Sequence, residues 1–116
     1  MSKTPRINGR LARPYVQERK PFTNSNGQLF GRYEAPLLYV VYSYGDHWPL
    51  FVHDGFDWYE NEEKCSLTTT RHRSNTHPFR ETIKVSRNAL RAMIAQRVGN
   101  HRQMERVQDS LMGLAA

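Results

Sequence analysis

The sequence predicts an α+β fold: a small antiparallel β-meander of three to five strands, packed by one or two C-terminal helices and preceded by a flexible basic arm. Three observations carry this prediction. The stretch Leu37–Tyr44 is β-branched and aromatic with apolar residues on both parities, which marks a strand buried on both faces. Asn26-Gly27 and Asp54-Gly55 are hairpin dipeptides flanking strand-like runs. Beyond Ser86, the apolar residues Leu90, Met93, Ile94 and Val98 fall on one helical stripe.

With 116 residues there is room for a single core. Residues 1–21 are read as the arm, because Pro5, Pro14 and Pro21 interrupt any regular run and little there is apolar. Residues 22–116 then form one α+β domain, with its sheet in 28–72 and its helical region in 84–115. Asn24–Gly27 is a turn, and Leu29–Tyr33 a short strand weakened by Gly31. After Gly45-Asp46, alternation places Trp48, Leu50 and Val52 on one face and His47, Phe51 and His53 on the other. Phe56–Tyr59 is the next strand. Cys65–Arg71 reads as another, since Thr68, Thr69 and Thr70 are β-branched, and Arg73–Phe79 reads as loop. Ser86 is an N-cap. Gly99-Asn100 either ends the following helix or kinks it, and Met104, Val107, Leu111 and Leu114 repeat at 3-4-3 spacing.

Composition excludes several classes of function. No apolar run approaches the roughly 20 residues of a membrane span, so no membrane partner is expected. Met1–Arg13 is basic without an apolar stretch, so no secretory signal is expected either. Cys65 is the only cysteine; no intrachain disulfide can form, and the chain reads as cytoplasmic. No cofactor is expected.

Charge is segmented. Residues 1–36 sum to +5, residues 37–66 to −5 and residues 67–116 to +6. Basic ends attract polyanions, with counterion release as the driving term. The plainer alternative is solubility, with acidic loops facing basic ends.

Five constellations carry candidate chemistry. Thr68, Thr69, Thr70, Arg71, His72 and Arg73, within a segment that runs to His77, form a dense set of donors suited to phosphate oxygens. The competing reading is a polar edge strand and loop. Arg87 and Arg91 lie one helical turn apart and extend the same basic surface, as do Arg6, Arg10 and Arg13 of the arm. If the protein is an enzyme, His72 as base and Arg71 as phosphorane clamp describe a metal-independent nuclease. Cys65, His72 and His77, with His53 or His47, offer zinc-compatible ligand types, but C-x6-H-x4-H matches no standard finger, so no metal is expected. Tyr39, Tyr42, Tyr44, Phe51 and Tyr59 are candidates for stacking on bases, with core placement the simpler reading for most. The Met104, Val107, Leu111, Leu114 seam packs either within the chain or against a second copy as a homodimer.

Val41-Tyr42-Ser43-Tyr44-Gly45, followed by Ser66-Leu67-Thr68-Thr69-Thr70-Arg71-His72, resembles a family of small uncharacterised proteins encoded by tailed phages, plasmids and other mobile elements. The recurring pattern of that family is a V-Y-S-Y-G strand and S-x-T-T-x-R-H. The resemblance spans about Phe22 to His77. It implies a mobile-element origin and a shared site at the Thr-Arg-His segment, and it implies no activity. The sequence therefore leads to a mobile-element accessory protein that binds nucleic acid. A non-enzymatic inhibitor of a host or defence protein is the alternative, and the small nuclease a third.

Overall fold

The computed structural model describes residues 4–115, with side chains as far as Gly113. It is α+β, built on one seven-stranded sheet whose strands lie side by side in chain order. The strands are β1 (Arg6–Ile7), β2 (Phe22–Asn24), β3 (Leu29–Ala35), β4 (Leu38–Ser43), β5 (Pro49–His53), β6 (Trp58–Asn61) and β7 (Thr82–Val85). A 3₁₀ turn (Gly9–Leu11) and helix α1 (Arg13–Gln17) separate β1 from β2; helix α2 (Leu67–Thr76) separates β6 from β7; helix α3 (Arg87–Ala115) follows β7. β2 to β6 form the expected antiparallel meander, extended at each edge by a parallel strand.

The central strand is β4, and all six of its residues are buried. Alternation sends Tyr39 and Val41 into one cluster with Ala12, Val16, Phe22 and Leu29, and sends Leu38, Val40 and Tyr42 into another with Leu90 and, partly buried, Met93 and Ile94. Helices α1 and α2 therefore cover one face of the sheet and the first half of α3 covers the other. The register shifts opposite Val41 and Tyr42, so Leu50 and Phe51 both join the Tyr39–Val41 cluster instead of taking opposite faces.

The N-terminal segment is not a free arm. Over the described residues, from Thr4 onward, the basic segment read as 1–21 is built into the domain: β1 pairs with β2, and Ala12 and Val16 are fully buried in the core. The crossover from β1 to β2 is what places α1 on the sheet. Residues 1–3 of the arm lie outside the described residues.

Residues 65–71 also depart from expectation. They are not a strand, and the 73–79 segment is not all loop. Ser66 caps α2, its Oγ accepting from Thr69 N at 3.2 Å. The helix has no apolar face to betray it, and it docks through hydrogen bonds. Arg73 Nη1 donates to the carbonyls of Asn61 (2.8 Å) and Glu63 (3.1 Å), and Thr69 Oγ1 lies 3.2 Å from Ser43 Oγ. The sheet therefore skips 62–81 and regains a strand at Thr82–Val85.

Two local expectations hold. Gly27 and Gly55 have φ of 74° and 98°, and Asp54 Oδ1 accepts from the amides of Phe56 and Asp57 to close the β5–β6 hairpin. Ser86 caps α3, its Oγ accepting from Ala89 N at 3.1 Å. Gly99-Asn100 neither ends nor breaks α3, which runs unbroken for 29 residues. Gly31 does not merely weaken β3. A Cβ there would lie 2.4 Å from Tyr39 Oη and 2.7 Å from Phe22 Cε1, so glycine is what lets the Tyr39 phenol cross β3 and donate to Lys20 O at 2.8 Å. No helix among the described residues is long and apolar enough to cross a membrane.

Candidate functional site

The Thr-Arg-His segment lies on α2, and its residues divide by helical position. Thr69 and His72 face the sheet, where they meet Ser43 at the end of β4. Ser43 is fully buried; its Oγ is 3.2 Å from Thr69 Oγ1 and 2.8 Å from His72 Nδ1. Ser66 Oγ donates to the same Thr69 oxygen at 3.1 Å. Ser43 Oγ thus bridges the Thr69 hydroxyl and the His72 imidazole. Burial lowers the His72 pKa, so the ring is neutral at physiological pH and does not supply the imidazolium a phosphate would prefer. Tyr44, in a left-handed conformation (φ 58°), lays its ring against His72 with centroids 5.6 Å apart. Beside this cluster a cavity of about 260 Å³ is lined by Tyr44, His47, Trp48, Cys65 and Ser66.

Thr68, Thr70 and Arg71 are exposed on the outer side of α2. Arg71 and His72 therefore face different surroundings, and the structure does not assemble them into a nuclease pair. Three of the arginines assigned to phosphate hold the fold instead. Arg73 grips the Asn61 and Glu63 carbonyls. Arg13 Nε and Nη2 donate to His77 O (2.8 Å) and Ser74 O (2.5 Å), satisfying carbonyls at the C-terminal end of α2. Arg87 lies over the Trp48 ring, 4.8 Å from its centroid, while its backbone amide donates to Glu63 Oε2 at 2.5 Å. Arg91 is exposed on α3, on the far side of the sheet from α2.

Arg6 and Arg10 are also exposed. Residues 4–17 and 64–80 contain seven Lys and Arg and no Asp or Glu, leaving the rest of the chain with a net charge of −1. These two acid-free stretches pack together: Arg13 reaches α2, Gln17 Nε2 donates to Pro78 O at 3.1 Å, and the Arg13 guanidinium stacks 3.7 Å from the Phe79 ring centroid. This pairing escapes composition because the stretches are about sixty residues apart; the runs without carboxylates were the available signal.

The residues proposed for zinc are separately engaged. Cys65 Sγ lies 3.5 Å from Thr70 Oγ1, His72 is held by Ser43, and His77 contacts Glu60 through Nε2 (3.2 Å) while Nδ1 accepts from Phe79 N (3.0 Å). Among the described residues no three His, Cys, Asp or Glu side chains gather as a metal site. Of the aromatic set, Tyr39, Tyr42 and Phe51 are core, Tyr59 is half-buried, and Tyr44 is exposed. Phe79, outside that set, is 63% exposed. Met104, Val107 and Leu111 are exposed, Met104 bordering a cavity shared with Ala35, Pro36 and Leu38; the side chain of Leu114 lies outside those described. No protein-family model, curated protein or solved structure matches this chain.

Proposed function

We propose that the chain is a mobile-element accessory protein that binds nucleic acid by its phosphate backbone, through the face formed by residues 4–17 and α2. The observation that carries this reading is the packing of the two acid-free stretches on one another. It concentrates positive charge on one layer of the sheet, with Arg10 and Arg71 exposed on neighbouring elements and Arg6 on the adjoining edge strand. The Thr68 hydroxyl on the outer side of α2 supplies a further phosphate donor, whereas Thr70 Oγ1 donates to Ser66 O at 3.0 Å. Tyr44 against His72, and Phe79 just past the end of α2, offer exposed rings on which unpaired bases stack, so single strands are the preferred ligand. Arg87, held over Trp48, and Arg91, on α3 across the sheet, stand apart from this surface.

Fluorescence anisotropy with labelled oligonucleotides across a salt series tests the reading. Replacing Arg6, Arg10 and Arg71 together by Ala flattens the slope of log K against log salt by about 2.7 for duplex DNA, and by about 2.1 for a single strand. An unchanged slope removes this face as the phosphate site. No binding of either ligand at low salt overturns the nucleic-acid reading and leaves the protein-inhibitor alternative.

A further inference from the structure

The stripe of α3 that covers the sheet does not end where the sheet does. Leu90 is fully buried and Met93 and Ile94 pack beside it, yet every described side chain from Arg102 to Gly113 is exposed. Along that uncovered length, Met104 (64% exposed), Val107 (54%) and Leu111 (60%) continue at 3-4 spacing, the seam of a helix that pairs with another helix. An unsupported helical extension of about 12 residues is marginal in water, and an apolar stripe left in solvent gives it no support.

We infer that this seam is covered by a second copy of the same chain, running antiparallel. Charge selects this occupant. The chain carries +6, yet Arg102, Glu105, Arg106 and Asp109 sum to zero, so the far end of α3 is where two copies approach without repulsion. The residues flanking the seam, Gln103, Gln108 and Ser110, carry no charge, and a polyanion finds nothing to hold there. The segment Arg102-Gln-Met-Glu-Arg-Val-Gln-Asp109 also reads as its own complement when reversed. About a twofold axis between residues 105 and 106, Met104 meets Val107 of the second copy and Gln103 meets Gln108. Each of Arg102 and Arg106 then stands level along the helix axis with an acidic residue, Asp109 or Glu105, of the other copy. The contact is the same patch on both chains and closes at two.

Sedimentation of the full-length protein over a concentration series tests the pairing, independently of nucleic-acid binding. The expected result is a species of twice 13.6 kDa that returns to 13.6 kDa in the Val107→Glu/Leu111→Glu variant, with unchanged near-ultraviolet circular dichroism because neither residue touches the core. Orientation is read from a spin label at residue 112 in the Met112→Cys/Cys65→Ser background. Antiparallel pairing sets residue 112 level with residue 99 of the other copy and separates the two labels by at least about 20 Å, whereas parallel pairing brings the helices' labelled positions to about 10 Å. A monomer at all concentrations, a dimer that survives the double substitution, or the short label distance overturns the inference; a wild-type monomer assigns the stripe to a different partner.

Discussion

Arg13 and Phe79 stand far apart in the chain, yet the guanidinium of one lies 3.7 Å from the ring centroid of the other, with its Nε on the His77 carbonyl. This contact ties the N-terminal segment to the end of α2. Removing it with Arg13→Ala strands two carbonyls and a stacked ring, at a cost of about 2 kcal/mol, which lowers the melting temperature by roughly 10 °C. Deleting residues 1–20 strips Ala12 and Val16 from the core and abolishes the cooperative transition; a truncated chain that melts like the full one contradicts the packing.

Val41 is fully buried in the middle strand. Val41→Asp places a carboxylate there with no partner, and the domain is expected to lose its folded signature in circular dichroism altogether. Soluble, cooperatively folded protein would put β4 at an edge.

At Gly31, alanine forces its Cβ against Tyr39 Oη and Phe22. The expected loss is about 1–3 kcal/mol by denaturant titration. Because part of that cost is a clash with the phenol, Gly31→Ala combined with Tyr39→Phe costs less than the sum of the two single changes. Strict additivity would mean that the strand shifts elsewhere.

Acid should weaken the fold through two histidines. Burial lowers the pKa of His72 below 6.5, and burial together with the Arg19 charge does the same for His53. Between the folded values and 6.5 the unfolded chain binds more protons, so the stabilisation is complete above pH 6.5 and declines as pH falls below it. Denaturant titrations at successive pH values, repeated on His72→Gln, should show a shallower decline in the variant. An identical decline removes His72 from the acid response.

The meander was legible because each cue was local. Leu37–Tyr44 announces a two-faced strand by composition, and Asn26-Gly27 and Asp54-Gly55 announce turns by backbone geometry. What escaped was held by partners distant in sequence. Residues 65–76 carry strand-like threonines and no apolar stripe, so the sequence pointed to a strand where there is a helix whose stability comes from Ser43, Asn61 and Arg13. β1 and β7 have two and four residues, too short to show a period, and each exists by pairing with a neighbour. At the candidate site, the hydroxyls and Arg71 were visible as residue types. That Arg13, Arg73 and Arg87 hold carbonyls and a tryptophan was not, because a structural arginine and a phosphate-binding one look alike until their neighbours are known.

The parallel edges have a consequence for the order in which the chain matures. β1 and α1 emerge early, but the surface on which α1 rests against α2 includes Ser74, His77 and Pro78. A growing polypeptide therefore carries its first helix unclasped until some sixty further residues have left the ribosome. Until then Ala12 and Val16 lack part of the layer that shields them. Closing so long a loop late makes folding slow for a chain of this size and concentrates its vulnerability to proteases at the N-terminal segment, before the clasp forms and again whenever it opens.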